Sequence, residues 1–227
     1  MLSFLKAKPS EEPRRFVFIF TYGRSGSTLL SGYLNALPGC CVRGENYMAL
    51  SHLCAFYRSL KLAKGHMAKK SGQPTHPWYG VDEIDLTSAL RKVRDLFVDE
   101  VLRPPAEASV VGFKEIRINA SDIPDFDGFL DDLVEIFEDV KFVFNHRRIA
   151  DVAKSKWWGQ TLQSHARIRS MDMRLERSKY VGSDRVFQVY YERFIGEPDH
   201  ARDLAQFLGM AFSEKSYRNV LSVQHSY

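Results

Sequence analysis

The segment Gly23-Arg24-Ser25-Gly26-Ser27-Thr28 packs two glycines, three hydroxyls and an arginine into one short turn. A glycine-containing turn between a strand and a helix points its backbone N–H groups at whatever sits above the helix N-terminus, where the macrodipole also favours an anion. Gly23 and Gly26 are expected to let the backbone come close. Ser27 and Thr28 add hydroxyl donors, and Arg24 supplies a forked cation matched to a phosphate. The chemistry implied is the binding of a phosphate or a sulfate. A nucleotide-kinase loop needs the pattern GxxxxGK[ST]; here no lysine follows Gly26, so ATP fits poorly. A second candidate anion site follows Phe142-Val143-Phe144, where Arg147, Asp151 and Ser155 stand at i, i+4 and i+8. On a helix starting after that strand they fall near one line, so the arginine and the serine hydroxyl could address one phosphate. The competing reading of these residues is an Arg–Asp pair on a solvated helix, worth a few tenths of a kcal/mol.

These residues need elements to hold them. Phe16-Val17-Phe18-Ile19-Phe20 is a short continuous apolar run of the kind buried on both faces of a parallel sheet. It ends at the glycine loop. Beyond the loop Leu29, Leu30, Tyr33, Leu34 and Leu37 recur at helical spacing until Pro38-Gly39. Strands are expected again at Val110–Phe113, Phe142–Phe144 and Val186–Tyr191. Helices are expected at Leu86–Leu102, Phe129–Phe137, Ile149–Trp158 and Ala201–Leu208. The alternation predicts an α/β fold, a P-loop-like three-layer sandwich with a central, mainly parallel sheet flanked by helices. Lys64–Gly80, rich in Gly, Pro, His and Lys, reads as a long loop over one end of the sheet.

The chain has 227 residues, 44% hydrophobic and 26% charged, which is ordinary globular composition. We expect an extension over residues 1–15 and a single domain over 16–227. A net charge of +4 is far from the concentrated basic stripe that nucleic acid requires, but suits a small anionic ligand. No stretch of about 18 apolar residues occurs, and the apolar start is too short for a signal segment. Cys40, Cys41 and Cys54 lack metal-binding spacing and read as reduced thiols in a cytoplasmic protein.

The loop from Gly23 to Leu30 resembles that of sulfotransferases dependent on 3′-phosphoadenosine-5′-phosphosulfate (PAPS), in the form, with arginine in place of lysine, carried by the carbohydrate and protein-tyrosine branch. Arg147-x-x-x-Asp151-x-x-x-Ser155 resembles the same family's 3′-phosphate site, and the two motifs occur in the family's order. Tyr191-Glu192-Arg193-Phe194 resembles its segment near the adenine, and Gly112-Phe113-Lys114-Glu115-Ile116-Arg117 its lysine-bearing central strand. Arg43-Gly44-Glu45-Asn46, His76-Pro77-Trp78-Tyr79-Gly80 and Lys154-Ser155-Lys156-Trp157-Trp158 resemble a bacterial group of the family.

The resemblance implies PAPS as co-substrate, no metal, and a hydroxyl acceptor, a carbohydrate or glycolipid. It implies a nucleotide held by Gly23, Arg24, Ser25, Gly26, Ser27, Thr28, Arg147, Ser155 and Tyr191. It also implies catalysis by Glu45 as general base, kept ionised with the help of Arg43, together with Lys114 and Arg24 on the transferring group. The other reading of Glu45 is an acidic first-turn residue of a helix beginning near Asn46. Trp78, Tyr79, Trp157 and Trp158 are candidates to stack on adenine or to line the acceptor pocket. The C-terminal Arg-Lys-Gly segment of the small-molecule branch has no counterpart, so Lys64–Gly80 or Arg167-Ile168-Arg169 is expected to cover the nucleotide. A P-loop-like kinase or NTPase and a non-catalytic nucleotide-binding module are the alternatives.

Overall fold

A computed structural model describes residues 14–66 and 72–223, so most of the expected extension lies outside the described residues. In chain order the elements are β1 (Arg15–Phe20), α1 (Ser27–Asn35), β2 (Cys40–Arg43), α2 (Ala49–Gly65), α3 (Leu86–Leu96), β3 (Val110–Glu115), α4 (Phe126–Ile136), β4 (Val140–His146), α5 (Ile149–Ala153), α6 (Leu162–Glu176), β5 (Val186–Tyr190), α7 (Tyr191–Gly196), α8 (Pro198–Phe207) and α9 (Glu214–Leu221). The α3 helix continues as a π-turn over Phe97–Leu102.

The five strands are ordered β2-β3-β1-β4-β5 and every pairing is parallel. Because successive strand residues face opposite sides, β1 feeds two cores. Phe16, Phe18 and Phe20 pack with Phe113, Phe129, Phe137 and Phe142 on one face. Val17 and Ile19 pack with Leu30, Tyr33, Leu34 and Leu204 on the other. This double burial explains the unbroken apolar run of β1 and yields the expected three-layer sandwich. Among the described residues no helix is long and apolar enough to cross a membrane.

The strand order places the site. After β1 the chain crosses over to β2 on one side, and after β4 it moves to β5 on the other, so the β1/β4 boundary is the sheet's switch point. Open parallel sheets bind ligands in the crevice beyond the carboxyl ends of their strands at such a point. The glycine loop after β1 and Arg147 after β4 both lie there.

Several local expectations fail. The helix expected over Ile149–Trp158 stops at Ala153; Ser155 is extended (φ −67, ψ 133) and caps a 3₁₀ turn over Lys156–Trp158. Arg147, Asp151 and Ser155 therefore do not share a helix face. Asp151 pairs with Lys154 (2.8 Å) and Arg148 (3.3 Å), and the Lys154 ammonium beside it holds its carboxyl below the usual range. The expected strand Val186–Tyr191 ends one residue early, Tyr191 being the first residue of α7. The helix expected near Asn46 starts at Ala49. Lys64 and Gly65 belong to α2, turns fill the described residues 72–80, and the rest of that expected loop lies outside the described residues.

Candidate active site

The glycine loop runs directly into α1, whose N-cap is Gly26 and whose first turn carries no acidic side chain. Its N-terminal N–H groups and dipole are thus available to an anion. The backbone is left-handed at Arg24 (φ 68) and at Gly26 (φ 85). The arginine tolerates a conformation that non-glycine residues seldom adopt. The glycines serve packing as well as close approach. A Cβ on Gly26 would lie 2.2 Å from the Tyr191 ring, and one on Gly23 2.2 Å from the Trp157 ring. Ser25 is fully buried and points inward. Its Oγ lies 2.7 Å from the Thr21 hydroxyl, and its carbonyl accepts from the Asn145 amide of β4 (3.1 Å). Ser25 thus ties the loop to β4.

Above the loop is a cavity of about 430 Å³ lined by Arg24, Gly26, Ser27, Thr28, Arg147 and Tyr191, with Ile195, Leu221 and Val223 on its apolar side. The guanidinium of Arg147 lies 4.1 Å above the Tyr191 ring and donates to the Arg24 carbonyl (3.0 Å), while its Nε is buried without a partner among the described residues. The glycine loop and Arg147, far apart in sequence, thus meet in one cavity. Ser155 does not line it; its hydroxyl accepts from the Trp157 N–H (3.4 Å). The wall comes from α7 and from Leu221 and Val223 at the end of α9, not from Lys64–Gly80 or Arg167-Ile168-Arg169. Apolar residues at helix spacing carried no signal that α9 would return to the loop.

Arg147 is held from beneath. The Tyr22 hydroxyl accepts from the Arg147 N–H (3.0 Å) and lies 2.9 Å from the Arg147 carbonyl and 3.1 Å from Asp172 Oδ1. Asp172 also bonds Nδ1 of the buried His146 at 2.8 Å. Burial, then the Asp172 charge, pushes the Tyr22 phenol far above its ordinary range, so it stays a neutral donor and acceptor. Sequence reading missed this buried network, since nothing in spacing links residues 22, 146 and 172.

On the β3 side of β1, Glu45 stands between two cations. Lys114 Nζ donates to Oε1 at 2.6 Å and Arg117 to Oε2 at 3.2 Å. Arg43 does not take part, because its guanidinium is bound by the carbonyls of Leu102 (2.7 Å) and Arg103 (2.8 Å). Glu45 lies ahead of α2, outside its first turn. The arrangement is anchored by Glu115, fully buried, which accepts from the N–H groups of Met48 (3.0 Å), Ile116 (2.9 Å) and Arg117 (3.2 Å) and from the Arg117 side chain (3.3 Å). Arg117 and Glu115 were part of a recognised strand segment, but only the fold gives them these partners.

A second cleft of about 430 Å³ is lined by Gly23, Arg117, Asn119, Asp122, Trp157, Trp158 and Arg167 among others. Trp158 Nε1 donates to the Gly23 carbonyl (2.9 Å). The tryptophan pair therefore braces the loop and faces this cleft, whereas Trp78 stacks on His66 at 4.4 Å. The glycine loop thus contributes to a cavity that holds two arginines and, through Gly23, to a polar cleft lined by Arg117, the partner of Glu45.

No curated protein matches the chain significantly in sequence. Among solved structures, the sulfotransferase domain of the Synechococcus PCC 7002 olefin synthase superposes with a TM-score of 0.59 at 22% identity, over 96% of this chain and 82% of that one. The sulfotransferase domain from the curacin biosynthetic pathway does so with a TM-score of 0.52 at 17% identity, over 91% and 77%. At these identities the superpositions speak for the fold. The model of the sulfotransferase family matches residues 16–214, spanning the glycine loop, Arg147, the Lys114 strand and Glu45, and the chain belongs to that family.

Proposed function

We propose that this sulfotransferase moves a sulfuryl group from PAPS to a hydroxyl of a carbohydrate or glycolipid acceptor. The observation that carries this reading is the convergence of the glycine loop and Arg147 on one cavity at the switch point, with Glu45 and Lys114 paired on the β3 side of β1. The loop N–H groups, Arg24, Ser27 and Thr28 hold the 5′-phosphosulfate. Arg147 reads the 3′-phosphate, and Tyr191 and the apolar wall take the adenine side. Glu45 accepts the proton of the acceptor hydroxyl as its oxygen bonds to sulfur. The S–O bond to the 5′-phosphate breaks, and the charge left on that oxygen is met by Lys114, which exchanges the Glu45 carboxylate for it. Ser155 contributes through the turn that places Trp157 and Trp158. A reducing cytoplasm accords with three free cysteines.

Thermal shift separates this reading from the kinase alternative. Adenosine 3′,5′-bisphosphate (PAP) at a hundred times Kd is expected to add about 2.7 kcal/mol of apparent stability without metal. ATP with Mg²⁺ is expected to give a smaller shift; a larger one favours the kinase. Tyr22→Phe is expected to weaken PAP about two- to tenfold, the worth of a neutral hydrogen bond of about 0.5–1.5 kcal/mol. Binding of adenosine 5′-phosphosulfate, which lacks the 3′-phosphate, is expected to hold. Calorimetry on both ligands checks it, and equal loss on both argues that Tyr22 supports the loop rather than Arg147.

A further inference from the structure

The cleft beyond Gly23 has features that sulfuryl transfer to a neutral hydroxyl does not require. Ser164, Arg167 and Met171 lie on one stripe of α6 and all face it. Of the charged side chains lining it, Arg117 is committed to Glu45 and Glu115, at 3.2 and 3.3 Å. Asp122 is bound by the Asn119 amide (2.5 Å), whose Oδ1 in turn accepts from the N–H groups of Ser121 (2.9 Å) and Asp122 (3.1 Å). Arg167, exposed at the surface, has no hydrogen bond, ion pair or ring contact among the described residues, so among them it is a cleft-lining cation without a counter-charge. Trp157, 60% exposed, offers an apolar ring beside it.

An anionic acceptor brought beside an anionic donor is repelled by it, and a guanidinium lining the acceptor's cleft offsets that repulsion. We infer that the acceptor is itself an anion, a hydroxyl compound bearing a carboxylate or phosphate, with Arg167 as its counter-ion and Trp157 against its apolar face. This rests on the donor reading above. In the transfer the acceptor O–S bond forms and the S–O bond to the donor phosphate breaks. The proton goes to Glu45, and the bond's electron pair leaves with PAP. Arg167 positions the acceptor and takes no proton.

Calorimetry with the full chain saturated with PAP tests the inference, using p-nitrophenyl β-D-glucoside, the corresponding glucuronide and the glucoside 6-phosphate. At least one anionic glycoside is expected to bind tenfold or more tighter than the neutral one, and the two anionic arms tell carboxylate from phosphate. The preference is expected to shrink as salt rises, to vanish in Arg167→Gln, and to survive in part in Arg167→Lys, with PAP affinity the same in all three proteins. Equal binding of charged and neutral glycosides, binding of none, or a preference that persists in Arg167→Gln overturns the inference and leaves the donor reading standing. Wild-type protein that fails to bind PAP overturns both.

Discussion

Glu45→Gln is expected to lower turnover about 10²–10⁴-fold, the usual contribution of a positioned general base, while leaving PAP affinity intact. That range corresponds to about 2.7–5.4 kcal/mol on the barrier, at 1.36 kcal/mol per decade. The structural cost is far smaller. Glu45 precedes α2, which starts at Ala49, so no first-turn dipole contribution is lost. Its side chain is 30% exposed, and partly solvated ion pairs contribute up to about 1 kcal/mol. Glutamine also keeps an oxygen that can accept from Lys114 or Arg117. The two magnitudes separate in one experiment: kcat at saturating PAPS and acceptor, with the melting temperature, for both proteins. Turnover within tenfold of wild type would sink the base assignment, and Asp122, the carboxylate lining the acceptor-side cleft, becomes the next residue to test.

Arg147→Ala is expected to weaken PAP by about 1.5–3 kcal/mol, roughly ten- to a hundredfold, the range for a hydrogen bond to a charged group. Adenosine 5′-phosphosulfate supplies the control, because Arg147 also touches the loop through the Arg24 carbonyl at 3.0 Å and the Tyr191 ring at 4.1 Å. If the arginine reads the 3′-phosphate, the ligand without that group binds the variant almost as well as wild type. If its role is to brace the loop, both ligands weaken together and the assignment fails. Arg147→Lys is expected to fall between, since a lysine keeps the charge and loses the fork and the flat stacking surface. Calorimetry with both nucleotides on the three proteins decides among these outcomes.

The parts of the site legible in the sequence are those whose chemistry and geometry are both local. A strand buried on both faces announces itself as an apolar run, the following glycines mark the turn, and the apolar spacing after them marks α1; anion binding follows from the N–H groups of that one junction. Arg147 was readable for the same reason, standing just past a second such strand. Where the local signal was weak, tertiary contacts prevailed. Residues 149–158 contain no proline and no glycine, yet the helix stops at Ala153. The Trp157 ring packs on Gly23 and Trp158 donates to the Gly23 carbonyl, and an uninterrupted helix would not present those rings there. β2, a four-residue edge strand, is too short to carry a period.

Charge partners were beyond sequence reading altogether. Arg43, two residues from Glu45, is drawn away to the carbonyls of Leu102 and Arg103, while Lys114 and Arg117 arrive from β3. Ion pairing has no sequence period; it depends on which strand ends the crossovers bring side by side. The sequence by itself determined the parallel α/β layering and the glycine turn between β1 and α1. The tertiary structure alone decided that the order β2-β3-β1-β4-β5 sets Arg147 against that loop, Glu45 against Lys114, and Arg167 in one cleft with Arg117 and Gly23, because those distances follow from strand order and not from separation along the chain.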